Sequence, residues 1–258
     1  MANKSERHRL SLIIATLGPS TDNEKELITM ITAGIARQWT DGVDIARVVY
    51  NDGESTVINR VNIFRDQCAK RSFNTSIYLD IDDINAENFE KYLSFAKTIK
   101  PKYISIPKTF GLDCINKAKQ NCDDNTLVGV RVRKEDDISD IESYLDVSNF
   151  IMVELESKQI VDEKIVEKAK QNSCEPIYLA KMPTLMKGQV QSRDENFEIG
   201  HTLEEGFDIV ALYEETSNGP YAARSVKCLD EIAVESEKLR VNPFSELMDK
   251  LLSFFKKQ

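Results

Sequence analysis

Two histidines in 258 residues leave little imidazole for catalysis or metal binding. His8 lies in a polar, basic N-terminal stretch and His201 inside a predicted helix, which argues against a Cys/His or Ser/His nucleophile system and against a histidine metal site. The five cysteines, Cys68, Cys114, Cys122, Cys174 and Cys228, are scattered, odd in number and never spaced Cys-x-x-Cys. That usage predicts reduced, mostly buried thiols. Neither a Gly-x-Gly-x-x-Gly nor a Walker-type loop is present, so there is no nucleotide-binding signature. Every apolar run is shorter than the roughly 18 residues a membrane span needs. Leu10 to Ala15, after the basic Met1 to Arg9, is too short and too soon interrupted for a signal peptide. An excess of positive charge is missing too: the net charge of -9 argues against nucleic acid or an anionic membrane surface as partner. The expectation is a cytoplasmic protein whose partners include neither nucleic acid nor membrane.

What is present is core-forming sequence. With 41% hydrophobic residues, this length suits one α/β barrel or two small domains. Eight β-rich runs, each followed by a helical pattern, decide between them: Leu10 to Leu17, Val43 to Tyr50, Thr75 to Ile81, Tyr103 to Pro107, Leu127 to Arg133, Phe150 to Leu155, Pro176 to Ala180 and Phe207 to Tyr213. Eight strand-helix units predict a closed (β/α)8 TIM barrel over residues 1–240. Thr21-Asp22-Asn23-Glu24 reads as a capping box opening the first helix and Gly34 as its close, while Gly206 ends the seventh helix and Pro220 opens the eighth. Ile58, Val61, Phe64 and Cys68, then Phe89, Tyr92, Leu93 and Ala96, then Ile165, Val166 and Ala169 recur at helical spacing and read as core. The only tryptophan, Trp39, falls between Gly34 and Val43 and reads as packing rather than as a binding loop. Residues 241–258 form an added amphipathic helix with Phe244, Leu247, Met248, Leu251, Leu252, Phe254 and Phe255 on its stripe; it covers the barrel base or a second subunit, and a homodimer is the simplest closed assembly.

The chemistry concentrates at Val128 to Arg133. Side chains alternate along a strand, so Val128, Val130 and Val132 face one way, and Gly129, Arg131 and Arg133 the other. With the valines under helices, the arginines project inward at the carboxyl end of a strand, where α/β folds bind ligands. Unpaired guanidinium groups are costly there, so an anion from the protein or from a ligand should face them.

Several stretches resemble the barrel domain of pyruvate kinase. Ile14-Ala15-Thr16-Leu17-Gly18-Pro19-Ser20 resembles that family's opening strand and turn, and Asp44-Ile45-Ala46-Arg47-Val48-Val49-Tyr50-Asn51-Asp52-Gly53 its Ala-Arg-Leu-Asn-Phe-Ser-His-Gly motif. Ile151-Met152-Val153, Ser192-Arg193-Asp194-Glu195, Glu204-Glu205-Gly206-Phe207-Asp208 and Glu215-Thr216-x-x-Gly219-x-Tyr221 follow in the family's order. The likeness runs from about residue 10 to 238. The resemblance implies a pyruvate-kinase type of barrel without the lid that follows the third strand and without the regulatory domain.

It also implies altered chemistry. Arg47 keeps the substrate-phosphate arginine and Asp80 an acid of the monovalent-cation site, but Val49, Asn51 and Ile81 replace its neighbours. The catalytic lysine falls at Arg131, the metal-binding glutamate at Arg133, the second metal loop at Glu154 to Gln159, and the active-site threonine at Lys181. A guanidinium and a hydroxyl in place of two hard oxygen ligands leave no magnesium site, so neither metal nor cofactor is expected and phosphoryl transfer is not. Arg47, Lys108, Arg131, Arg133 and Lys181 are then the rim cations, with Asp80, Glu154, Glu156 and Glu215 as nearby acids. Three readings stay open: a closed salt-bridge network; a mouth holding a phosphorylated or carboxylate metabolite directly, aided by free backbone N-H groups near Ser217-Asn218-Gly219; and a metal-independent lyase or transferase acting on an oxoacid, with Lys181 as Schiff-base nucleophile, Glu154 or Glu215 moving protons and Arg131 among the neighbouring cations. A non-catalytic, ligand-responsive or protein-interacting role is the main expectation.

Overall fold

The computed structural model describes residues 9–34, 42–81, 86–156, 159–160 and 164–240. Strands β1 (Leu12–Thr16), β2 (Ile45–Val49), β3 (Ser76–Asp80), β4 (Tyr103–Pro107), β5 (Leu127–Val132), β6 (Phe150–Val153), β7 (Glu175–Ala180) and β8 (Ile209–Leu212) form a closed, all-parallel barrel in chain order. This is the expected (β/α)8 TIM barrel, and each predicted run holds its strand to within one or two residues at either end. The connecting helices are α1 (Glu24–Ile31), α2 (Glu54–Ala69), α3 (Phe89–Ile99), α4 (Leu112–Asn121), α5 (Ile141–Val147), α6 (Ile165–Gln171), α7 (Arg193–Glu205), the single turn α8 (Glu214–Ser217) and α9 (Ala222–Arg240). Trp39, Ser157 and the added helix expected over residues 241–258 lie outside the described residues.

The period of two in β5 divides the core into two layers. Val128, Val130 and Val132 point outward and are fully buried with Tyr92, Leu93, Ile115 and Ala118 of the flanking helices. The inward positions form a separate cluster inside the barrel, among them Ile14, Ile45, Tyr78, Tyr103, Phe150 and Ile177. Tyr78 stacks on Tyr103 with ring centroids 5.9 Å apart, and Phe150 meets both at 5.5 and 5.7 Å. Gly129 makes room for this aromatic floor, because a Cβ there would land on the carbonyl and ring of Phe150. A packed interior leaves only the C-terminal rim for chemistry.

Local signals differ from expectation at the first helix. Pro19–Thr21 forms a 3-10 turn, so the cap moves to Asn23, whose side chain accepts from the N-H groups of Lys25 and Glu26. The helix then stops at Ile31, capped at Thr32, before Gly34 is reached. The seventh helix has a capping box built from Ser192 and Glu195 and ends as expected on Gly206, whose φ of 116° suits glycine. Only residues 81–85 separate β3 from the 3-10 turn Ala86–Asn88 in the sequence, too few for a lid domain.

Candidate functional site

The barrel register brings together residues far apart in the chain. Thr16 is paired with Arg47 across β1 and β2, and Asp80 with Ser105 across β3 and β4. Arg47, fully buried, donates from Nη1 to Thr16 Oγ1 at 2.9 Å and from Nε to Asp80 Oδ2 at 3.0 Å, with Nη2 on the same oxygen. Its guanidinium lies 4.3 Å from the centroid of the Tyr213 ring. Ser105 Oγ donates to the other oxygen of Asp80. Arg131 donates from Nη1 to Asp80 Oδ2 at 2.9 Å and from Nη2 to Glu154 Oε2 at 3.3 Å. Lys181 Nζ closes on Glu154 Oε1 at 2.8 Å. An alternating chain, Arg47-Asp80-Arg131-Glu154-Lys181, thus runs from the barrel axis to the rim.

Burial and charge act on these carboxylates in opposite directions. Burial alone would raise Asp80, but the Arg131 and Arg47 guanidinium groups and the Ser105 hydroxyl outweigh it and hold the carboxyl below its ordinary range. Glu154 is likewise pushed up by burial and drawn further down by Lys181 and Arg131. Side-chain exposure separates the three cations: it is 0% for Arg47, 3% for Arg131 and 63% for Lys181. Only Lys181 reaches open solvent.

Lys181 stands between two cavities. The first, of about 240 Å³, is lined by Glu154, Leu179, Ala180, Lys181, Pro183, Met186, Tyr213, Glu214 and Glu215. The second, of about 320 Å³, shares Glu154, Leu179, Lys181 and Pro183 and extends to Lys134, Glu156, Tyr178 and Glu198. Glu215 is a brace: it is buried and accepts the backbone N-H of Met182 at 2.5 Å and of Tyr213 at 3.3 Å, tying the exit of β7 to the end of β8. Burial raises its carboxyl above the ordinary range despite those bonds.

The other expected site residues sit apart from this chain or serve the backbone. Lys108 pairs with Asp140 at 2.7 Å and lies over the Tyr144 ring, packed against the start of α5. Arg133 lies one residue past β5, half-buried, and its backbone N-H donates to Asp136 at 2.7 Å. The N-H groups of Ser217, Asn218 and Gly219 are not free: they donate to the carbonyls of Tyr213 and Glu214 at 2.8–2.9 Å, so the phosphate cradle expected at this loop is closed by the turn itself. The cysteines behave as expected. Cys68, Cys174 and Cys228 are buried, all five are free thiols, and burial pushes each one up, Cys174 to about 12.

Sequence reasoning passed over Thr16, Ser105 and Tyr213, which complete the shell around Arg47 and Asp80. Their signal was positional: each lies two residues beyond an inward core residue, Ile14, Tyr103 and Ala211. The donor set does not fit a divalent cation, since Asp80 and Glu154 are both covered by guanidinium and a metal would have to displace Arg131. Among the described residues, no group of three or more His, Cys, Asp or Glu converges as a metal site, and no helix is long and apolar enough to cross a membrane. Fold and site together define a (β/α)8 barrel with an ion-paired mouth whose chain of pairs ends on an exposed lysine, Lys181. Neither a protein-family model nor a curated protein matches the sequence.

Proposed function

We propose that this chain is a pyruvate-kinase-like barrel that does not transfer phosphoryl groups and instead binds a small organic anion at Lys181 without metal. The observation that carries the reading is the sharing of Glu154. Lys181 and Arg131 hold different oxygens of that carboxylate, so an incoming anion that takes Lys181 leaves Glu154 paired with the buried Arg131. Arg47 and Arg131 are held by Asp80 inside the barrel, and drawing either out would strand a buried charge. Lys181 is the cation that exchanges partners at low cost. Its exposed, paired ammonium also argues against a Schiff-base role, which asks for a dry amine.

The test is a thermal-shift panel of monocarboxylates, dicarboxylates and phosphorylated acids, with and without chelator. A ligand at a hundred times its dissociation constant adds about 2.7 kcal/mol of stability. The shift should survive chelator, vanish in Lys181→Ala and persist in part in Lys181→Arg. Arg131→Glu would set a second carboxylate beside Asp80 and should destabilise the mouth, so it does not report on binding. If no anion shifts the transition, or every shift needs magnesium, the chain of ion pairs is structural and the reading falls. An oxoacid adduct on Lys181, trapped with borohydride, would replace it with the lyase.

A further inference from the structure

The first cavity beside Lys181 is narrower in its chemistry than a general anion site. Its lining is one lysine and three glutamates beside Tyr213 and the apolar Leu179, Ala180, Pro183 and Met186. We infer that the ligand is a monocarboxylic acid with a short, branched apolar chain, carboxylate on Lys181 and chain against Leu179 and Met186. The inference rests on the Lys181 reading and names the class of acid.

Three observations point away from phosphate and from dianions. Lys181 is the single cation lining this cavity, whereas a phosphate needs several donors. The backbone N-H groups of Ser217, Asn218 and Gly219, which would supply those donors, are spent within their own turn. Glu154, Glu214 and Glu215 line the same space, and a second negative charge would face them unpaired.

The apolar wall is a fixed feature. Glu215 fastens the backbone of Met182 and Tyr213, holding the β7 exit and the end of β8 at one separation. Gly219 lies under Met186, and a Cβ there would come within 3.0 Å of the Met186 sulfur and clash with the Glu215 carbonyl. The volume of about 240 Å³ leaves room for a five- or six-carbon acid. Each buried methylene strengthens binding about fourfold.

The experiment is calorimetric titration of the full chain, in the presence of chelator, with acetate, isovalerate, 4-methylpentanoate, malonate, succinate and inorganic phosphate. Isovalerate and 4-methylpentanoate should bind at least about tenfold tighter than acetate. Met186→Gln should weaken both about fivefold or more without moving acetate, and Lys181→Gln should abolish all binding. Melting curves of the two variants check that they fold. If malonate, succinate or phosphate binds tightest and depends on Lys181, the Lys181 reading stands and the apolar-acid inference is overturned. If nothing binds, or binding is equal in Lys181→Gln, both are overturned.

Discussion

Asp80 is the residue on which the mouth depends, because among the described residues it is the carboxylate that pairs with both Arg47 and Arg131, and its removal leaves two guanidinium groups without their shared counter-charge. Asp80→Ala should cost about 3–5 kcal/mol in urea unfolding, the range for breaking a buried pair from one side. Lys181→Ala, which removes an exposed partner of Glu154, should cost about 1 kcal/mol or less. The same geometry fixes an acid limb. The folded-state values of Asp80 and Glu154 are depressed, so their contribution is fully present above the unfolded carboxylate range, about 3.9 to 4.3, and is lost as pH falls through the lower folded values. Wild-type stability should therefore drop as pH falls below about 4, and Asp80→Asn should flatten that slope even though it lowers the plateau. Equal slopes in the two proteins would remove Asp80 from this role. Arg131 was legible in the sequence because charge at a strand end is conspicuous and alternation gives its direction, whereas Arg47, Asp80 and Lys181 entered through the resemblance of their stretches to pyruvate kinase. Thr16 and Ser105 were not legible: an uncharged hydroxyl carries no signal until the register sets it beside an arginine or a carboxylate. The destination of Lys108 was hidden for another reason, since a long side chain can turn from the rim to Asp140 without any change in backbone.

Strands and the two ends of the barrel wall follow different rules. The eight strands were legible because their runs are apolar, short and regularly separated by helical patterns. The opening helix was misread because Pro19 starts a separate 3-10 turn and transfers the cap from Thr21 to Asn23, two positions on and the stronger capping residue. The fastening of β1 to α9 was invisible, since it joins residues at opposite ends of the sequence. Glu237 accepts the N-H groups of Leu10 and Ser11 at 2.7 Å each and the Ser11 hydroxyl at 2.6 Å, while Arg9 reaches Asp230 at 2.9 Å and Asp44 at 2.7 Å. All three Glu237 bonds involve a charged acceptor that is 5% exposed, so Glu237→Ala should cost on the order of 2–4 kcal/mol. It should also speed hydrogen exchange at Leu10 and Ser11 selectively over β4 and β5. Uniform loss across the barrel, or none at β1, would show that α9 is held by its apolar face alone.

At the scale of the molecule, the C-terminal rim carries the chain of ion pairs around Asp80 and Glu154, and α9 ends at the opposite end of the barrel beside Leu10 and Ser11. Helix α9 spends its own apolar face within the barrel: Val226, Leu229 and Ala233 are buried, and the helix packs on α7 and α1. Residues 241–258 lie outside the described ones, but their sequence carries Phe244, Leu247, Met248, Leu251, Leu252, Phe254 and Phe255, more apolar surface than one solvated helix face accommodates. Leu10, 77% exposed, lies beside the end of α9 through the bond from its N-H to Glu237. A second copy offering the same surface would cover both stripes at once, and a two-fold pair is the closed assembly that does so without leaving an open patch. The full chain should accordingly run as a dimer in light scattering. A chain ending at Arg240 should aggregate, or melt several degrees lower with a loss of about 1–3 kcal/mol. A truncated protein that is monomeric, soluble and as stable as the full chain would show that the stripe has no partner in either copy.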